Sequence, residues 1–419
     1  MNRKLFRWMM PVGLCLLTLG GAGWEAAAAT IDNGQFPAHD PYLATLLSLN
    51  VQTESYPFLR HGRKRTVRLD RDRPAYPYMF WPNPNSSALA VVIPGLNGSC
   101  RDTTTAFLGM LLYAKGYSVA QISSPMHWTF IRAALSTPVP GYVPRDSQDA
   151  IRLIGRVVED LEAKQKKPFA FKCLAGQSFG ALHTLCIADH EAREPRLRFD
   201  RFIAVNPLVE MQESVQKIDA MYLDSLQNLR SLGPDRWNES LWFYHLSEVQ
   251  EQQDKSALQK LNPQEAALAI GYLMKRNLTE FILASHEFKH SGILSQPCGF
   301  FRRQPCYEEA AQYTFSRYVT DVVMKYGREP EPAGSTSSET VEELLKKNSL
   351  SAIAGTLRDS PAVTVFHTQD DPLISPESAA FLQTVLPDGR LFLFRYGGHL
   401  GEIVDPGFRE KFQEAARLP

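Results

Sequence analysis

The sequence has no excess of charge of either sign: 45 Lys and Arg residues balance 45 Asp and Glu residues over 419 positions. A balanced chain without a basic tail or arm gives no indication of binding to nucleic acid or to an anionic membrane. No repeat of fixed period is visible, so a repeat architecture is not indicated. The composition, 44% hydrophobic and 11% aromatic, is that of a globular protein and permits an enzyme without indicating one.

Long hydrophobic runs are scarce, and the run at the start of the chain is short for a membrane span. It covers Met9 to Leu19, whereas about 20 residues are needed to cross the hydrocarbon layer. Basic residues precede it and small residues up to Ala29 follow it, which is typical of a cleaved secretory signal peptide. We therefore expect a periplasmic or secreted protein with no stable span after cleavage, the alternative being an uncleaved anchor.

Cysteine is also scarce, with six residues in the chain. One lies in the predicted signal peptide, and export would place the other five in an oxidising compartment. Cys298 and Cys306 lie close together in a polar, Pro-containing stretch and make the simplest disulfide to propose. Cys173 and Cys186 flank the motif described below and could be buried thiols. Because five is odd, at least one cysteine stays unpaired within the chain.

Apolar runs of strand length alternate with helical segments over two parts of the chain. The predicted strands are Leu89–Ile93, Ser118–Ile122, Phe169–Ala175, Phe202–Val205, Ala362–Thr368 and Leu391–Phe394. Helical segments lie between them, and such alternation implies a mostly parallel sheet flanked by helices. Residues 30–87 are expected to be irregular, apart from a strand near Tyr78–Trp81.

The alternation stops between residues 207 and 358, where the pattern is helical. This stretch includes the predicted helices Pro263–Ala284 and Thr340–Leu350, with a Pro/Gly/Ser linker at Glu329–Ser338. We therefore expect three parts: a signal peptide at 1–29, an α/β core formed by 30–206 and 359–419, and a helical cap insertion at 207–358.

A G-x-S-x-G motif, Gly176-Gln177-Ser178-Phe179-Gly180, lies between a predicted strand and a predicted helix. In that context the serine occupies a strained turn that exposes its hydroxyl, and the glycines remove side chains that would clash. A serine hydroxyl needs a general base. His399 follows a later strand and is the predicted base, with Asp371 or Asp370 as the acid that orients it, in the chain order Ser, Asp, His.

These residues give the chain a resemblance to the α/β-hydrolase superfamily, over about residues 65–206 and 359–417. Pro94-Gly95-Leu96-Asn97-Gly98, Asp370-Asp371-Pro372 and Gly397-Gly398-His399 are similar to the YheT-like esterase branch. The resemblance implies an α/β-hydrolase fold and favours Asp371, because the superfamily's acid commonly sits in a D-x-x-(V/I)-P pattern. Asp371-Pro372-Leu373-Ile374-Ser375 fits that register with Ser in place of Pro. It also implies an oxyanion hole made by the amides of Leu96 and Phe179. Pro94 departs from the family, since many members carry His there.

A second motif competes with this interpretation. His286-Glu287-Phe288-Lys289-His290 matches the H-E-x-x-H pattern of zinc peptidases, with Glu308 or Glu309 as a possible third ligand. Ser291-Gly292 ends the predicted helix at once, which disfavours a zinc site. The alternative is that these residues only form the polar end of a helix in the cap.

The sequence therefore predicts an exported serine hydrolase that cleaves small-molecule acyl esters through an acyl-enzyme, with no cofactor and no metal. Esters are favoured over peptides because a helical cap suits a hydrophobic acyl group. The cap residues expected to cover the site are Leu268, Tyr272, Phe281 and Ile282, and His127 with Trp128 and Phe130 could line the pocket. The alternatives are a zinc metallopeptidase and a non-catalytic binding protein on the same fold. Protein partners and oligomeric state are not indicated.

Overall fold

A computed structural model describes residues 30–48, 58–252, 260–298, 303–326, 340–387 and 389–419. The predicted signal peptide and the predicted linker Glu329–Ser338 lie outside these ranges. Within the described ranges, no helix is both long and apolar enough to span a membrane.

The core is a nine-stranded sheet in the order β1-β9-β8-β7-β6-β4-β5-β3-β2. Its strands are β1 (Thr30–Ile31), β2 (Arg63–Val67), β3 (Tyr76–Trp81), β4 (Ala88–Ile93), β5 (Ser118–Gln121), β6 (Phe171–Gln177), β7 (Arg201–Val205), β8 (Val363–Thr368) and β9 (Leu391–Phe394). Strand β3 runs antiparallel to β2 and β5, and the other neighbouring pairs are parallel. The predicted mostly parallel sheet is confirmed.

Both faces of the sheet are covered by helices. The first helices are α1 (Pro41–Leu47), α2 (Thr103–Ala114), α3 (Trp128–Ala133), α4 (Val143–Gln165) and α5 (Phe179–Arg193). All six residues of β4 are buried, and they divide by alternation: Leu89, Val91 and Ile93 join the α4 and α5 face, whereas Ala90 and Val92 join the α2 face. This explains why the strand reads as a continuous apolar run in the sequence.

A large helical insertion separates β7 from β8. It contains α6 (Met211–Ser231), α7 (Glu239–Gln252), α8 (Pro263–Lys289), α9 (Arg303–Ala310), α10 (Phe315–Tyr318), a π-helix (Val319–Val323), α11 (Met324–Tyr326), α12 (Val341–Lys347), a 3₁₀ turn (Leu350–Ile353) and α13 (Ala354–Asp359). We call this insertion the cap. Helices α6 and α8 pack so closely that a Cβ on Gly271 would lie 2.5 Å from the Tyr222 nitrogen.

The core then resumes with α14 (Pro376–Val385), β9, a 3₁₀ turn (Gly401–Val404) and α15 (Pro406–Ala415). Cys298 and Cys306 form a disulfide in the cap. The other described cysteines, Cys100, Cys173 and Cys186, lie in the core and are free and buried. The disulfide suggested by the spacing is therefore present, and the two cysteines near the motif are buried thiols.

The predicted strand near Tyr78–Trp81 is confirmed as β3, but the expectation that the rest of residues 30–87 is irregular was wrong where the structure describes them. Strand β2 was missed because its sequence, RKRTV, has no apolar alternation, as suits an exposed edge strand. Helix α1 has signals that could have predicted it, since Asp40 caps its first amides and Pro41 occupies its first turn. This helix packs against cap helix α8 and against the loop that carries His399.

Candidate active site

Ser178 lies at the sharp turn between β6 and α5. Its backbone has φ +53° and ψ −124°, a strained conformation for a residue with a side chain. The flanking glycines make the turn possible: a Cβ on Gly176 would lie 2.3 Å from the Gly180 oxygen, and one on Gly180 would lie 2.3 Å from the Pro94 oxygen. The Ser178 amide donates to the Val205 carbonyl at 2.8 Å, which fixes the turn to the neighbouring strand.

Three side chains form a continuous hydrogen-bonded chain at this turn. His399 Nε2 lies 2.8 Å from Ser178 Oγ, and His399 Nδ1 lies 2.8 Å from Asp371 Oδ2. Asp371 follows β8 and His399 follows β9, so residues up to 221 positions apart meet where neighbouring parallel strands end. All three are less than 8% exposed. The arrangement can transfer a proton from the hydroxyl to the imidazole.

The carboxylate of Asp371 is held by further donors. Asn206, directly after β7, donates from Nδ2 to Oδ2 at 3.1 Å, and the Leu373 amide donates to Oδ1 at 2.8 Å. Burial raises the pKa of Asp371, but the nearby His399 and His367 and the Leu373 amide outweigh burial and hold the pKa below its ordinary value. The group therefore stays ionised and can stabilise a charged imidazole. Asn206 was not singled out from the sequence, although its position after a strand could have marked it.

Asp370, the alternative acid, holds the loop that carries His399. It accepts hydrogen bonds from the amides of Gly398 at 2.8 Å and Gly397 at 3.2 Å. Helix α1 supports the same loop, because Thr45 Oγ1 accepts from the His399 amide at 2.9 Å. Gly398 has φ +57°, and a Cβ there would lie 2.1 Å from the Pro41 oxygen, so this contact requires glycine. No pattern in the sequence indicates this role for Thr45.

The two residues expected to supply an oxyanion hole, Leu96 and Phe179, line the same cavity as the serine. Phe179 is the first residue of α5, so its amide has no partner within the helix. Leu96 lines both cavities that contain Ser178. Its loop approaches closely, since a Cβ on the preceding Gly95 would lie 3.1 Å from Ser178 Cβ.

Two chambers meet at Ser178. The first lies under the cap and has about 570 Å³ of empty space when the solvent at its mouth is counted. It is almost wholly apolar, lined among others by Met211, Val215, Ile218, Phe281, Val319 and Val323. The second, about 810 Å³, is more open and more polar, and its wall includes Thr45, Gln177, Leu273, Asn277 and His399. The serine hydroxyl therefore stands between an apolar chamber under the cap and a more open chamber of mixed polarity.

Of the four cap residues expected to cover the site, Phe281 lines the apolar chamber. Leu268 and Ile282 are fully buried in packing within the cap, and Tyr272 packs against Phe243 and Tyr222. His127 caps α3, with its Nδ1 accepting from the Thr129 amide, whereas Met126 beside it lines the chamber. Trp128 is 47% exposed and Phe130 is buried in the core.

The H-E-x-x-H residues are used structurally. His286 Nε2 lies 3.0 Å from the Gln296 carbonyl, and His290 ends α8 in a left-handed conformation. Glu309 accepts from Ser295, and Glu308 accepts from Gln304. Across the ranges that the structure describes, no group of three or more His, Cys, Asp or Glu side chains is arranged to hold a metal ion.

Counted from the β2 edge of the sheet, the second strand is β3, which runs antiparallel to its neighbours. This strand order and the turn that carries Ser178 between a strand and a helix together identify the architecture. This is the α/β-hydrolase fold. No protein-family model matches the sequence, and no curated protein matches it. The resemblance to the YheT-like branch therefore stays a prediction.

Solved structures show only a distant likeness. The chain is similar to 2,6-dihydroxy-pseudo-oxynicotine hydrolase (10% identity, 87% of this chain and 70% of that one, TM-score 0.43). It is also similar to naproxen esterase (11% identity, 88% and 97%, TM-score 0.39) and a carboxylesterase (10% identity, 87% and 95%, TM-score 0.38), both from Bacillus subtilis. At these TM-scores, the fold assignment rests on the strand order and the serine turn.

Proposed function

We propose that this protein is an exported serine hydrolase that cleaves carboxylic esters, with Ser178 as nucleophile, His399 as general base and Asp371 as the acid. The observation that carries the proposal is the buried hydrogen-bonded chain from Ser178 Oγ through both nitrogens of His399 to Asp371 Oδ2. A packed core does not require this arrangement, whereas acyl transfer does.

The proposed reaction has two halves. Ser178 Oγ attacks the ester carbonyl carbon while its proton passes to His399 Nε2, and the amides of Leu96 and Phe179 stabilise the oxyanion. His399 then returns the proton to the leaving alkoxide, which departs as the alcohol. A water molecule, deprotonated by His399, attacks the acyl-enzyme. The bond between the acyl carbon and Ser178 Oγ breaks, His399 returns the proton to Ser178 Oγ, and the carboxylic acid is released. Asp371 stabilises the imidazolium formed in each half.

The two chambers suggest the substrate class. An apolar acyl chain gains about 0.8 kcal/mol for each buried methylene in an enclosure such as the cap chamber. The second chamber, which is more open and has polar groups beside apolar ones, suits the alcohol half of the ester and the entry of water. The proposed substrate is therefore a small ester with an apolar acyl group and a more polar alcohol.

Export is part of the same proposal. It is supported by the basic-apolar-small order of the first 29 residues and by the cap disulfide, because such bonds persist in oxidising compartments.

The proposal is tested by measuring hydrolysis of p-nitrophenyl esters and matched anilides by the purified protein, beside Ser178→Ala and in the presence of a chelator. We expect ester turnover that is lost in Ser178→Ala and unaffected by chelation. Activity that survives in Ser178→Ala but is abolished by chelation would favour the zinc alternative. Ester binding without turnover by the folded parent would favour a non-catalytic binding protein.

A further inference from the structure

The cap is hydrogen-bonded directly to the loop that carries the proposed oxyanion donor. Asn97 follows Leu96 in this loop, and its Nδ2 donates to Glu280 Oε2 at 2.8 Å and to Asn277 Oδ1 at 3.2 Å. Both acceptors belong to cap helix α8, more than 175 residues away in sequence. The bond to Glu280 is charge-assisted, which makes it the stronger of the two.

The loop conformation depends on Asn97. The Gly98 amide donates to the Gly95 carbonyl at 3.0 Å and closes a turn in which Leu96 and Asn97 are the central residues. Asn97 has φ +54°, a conformation that Asn and Asp adopt more readily than most L residues. The orientation of this turn sets the direction of the Leu96 amide.

The other side of the loop is anchored in the core. The Ser124 amide donates to the Gly98 carbonyl at 2.8 Å, and Ser123 Oγ accepts from the Cys100 amide at 2.9 Å. On the side that faces the cap, the loop is held by the side-chain hydrogen bonds of Asn97. The loop is therefore anchored to the core on one side and to the cap on the other.

We propose that Asn97, Asn277 and Glu280 act as a tether through which cap helix α8 positions the Leu96 amide for the oxyanion. Asn97 is a positioning residue, acting through Leu96, and the inference rests on the proposed function. The cap would then have two roles: it encloses the acyl chamber, and it orders one of the two donors that stabilise the transition state. Catalysis is sensitive to small displacements of such donors, because a misplaced donor stabilises the oxyanion less.

A reciprocal exchange of donor and acceptor tests the tether. Asn97→Asp keeps a residue that tolerates the backbone conformation but places a carboxylate against Glu280. Glu280→Gln alone keeps an acceptor oxygen for Asn97. Combined with Asn97→Asp, Glu280→Gln supplies an amide that donates to the new carboxylate. The matched control is Asp321→Ala, which removes a cap carboxylate of similar exposure, 49% against 45%, from a different helical ion pair.

Kinetics and hydrogen–deuterium exchange provide separate readouts. With a p-nitrophenyl ester, we expect Asn97→Asp to lower kcat about tenfold, part of the 10²–10³-fold that loss of an entire oxyanion donor costs, with KM changed less than about twofold. Binding of a trifluoromethyl ketone, which mimics the tetrahedral state, should weaken in parallel with kcat/KM. The double variant and Asp321→Ala should stay within about threefold of the parent, and Glu280→Gln, which keeps an acceptor but removes its charge, should fall between the parent and Asn97→Asp. Amides of residues 95–98 should exchange faster in Asn97→Asp and return to the parent rate in the double variant.

Two results would overturn the tether: parent-like kcat and loop exchange in Asn97→Asp, or a loss that the double variant does not recover. A parent that does not turn over esters would refute the proposed function instead. The exchange measurement does not require turnover, so it still decides whether α8 orders the loop.

Discussion

The apolar chamber makes a quantitative prediction about acyl-chain preference. Each methylene transferred from water into the chamber contributes about 0.8 kcal/mol, which is about fourfold in kcat/KM. For the parent, kcat/KM should therefore rise about fourfold per methylene along a series of p-nitrophenyl esters, until the chain fills the chamber. Val323 lines the chamber and packs near Gly141, where a Cβ would lie 2.9 Å from Val323 Cγ2. Val323→Phe should consequently stop the rise at a shorter chain.

The assay compares acetate through decanoate esters for the parent, Val323→Phe and Leu273→Phe. Leu273 lines the second, more open chamber at Ser178, so Leu273→Phe adds bulk on the alcohol side. This variant should change the preference among alcohols and leave the acyl-chain profile intact. Thermal melts exclude a folding defect. An unchanged acyl profile in folded Val323→Phe, or the same shortening in Leu273→Phe, would refute the assignment of the acyl group to the cap chamber.

Substitutions at four further residues separate the roles of the groups around His399. Asp371→Asn should lower kcat about 10⁴-fold by removing the charge that orients the imidazole. Asp370→Asn should lower kcat far less and mainly reduce the melting temperature, since the Asp370 carboxylate holds the amides of the loop. Equal losses of kcat in the two variants would contradict this. Thr45→Val should lower kcat and destabilise the fold by about 1 kcal/mol by removing the acceptor for the His399 amide, and Thr45→Ser should restore both. Glu402 is fully buried without a partner for either carboxylate oxygen. Burial, with Asp371 and Asp370 nearby, raises its pKa well above the ordinary value. The folded state therefore keeps a proton that the unfolded chain releases, and the contribution to stability is lost as pH rises above about 4.5. Glu402→Gln should match the parent in denaturant unfolding near pH 4 and exceed it by about 1–3 kcal/mol near pH 8; equal stability at both pH values would show that Glu402 is not buried as a protonated acid.

Much of the architecture could be predicted because buried parallel strands and amphipathic helices leave strong local patterns. Strand β4 reads as an unbroken apolar run, and Gly176 and Gly180 mark a turn that a side chain would block. The separation of Ser178, Asp371 and His399 along the chain follows from strand ends meeting at one edge of the sheet. The same reasoning failed where burial is partial. Edge strand β2 carries exposed charges, so its apolar residues follow neither the alternation of a strand nor the period of a helix.

The supporting residues of the site could not be predicted from the sequence, because their roles arise from contacts between distant segments. Thr45 meets the His399 amide across 354 positions, and Asn97 meets Glu280 across 183. The residue pattern alone left Asp370 and Asp371 open, because local sequence does not fix which of two adjacent carboxylates faces the imidazole, and the family resemblance favoured Asp371, the residue that bonds to His399. The H-E-x-x-H motif was disfavoured as a zinc site because Ser291-Gly292 follows it at once, and its residues serve as a helix end.

The central claim is that Ser178 is an activated nucleophile, and covalent labelling by a fluorophosphonate tests it most directly. The folded parent, Ser178→Ala and His399→Ala would be treated alike, and the modified peptide identified by mass spectrometry. The account predicts one adduct, on Ser178, that is absent from both variants. Labelling of another residue, undiminished labelling in His399→Ala, or no labelling of a folded parent would contradict it.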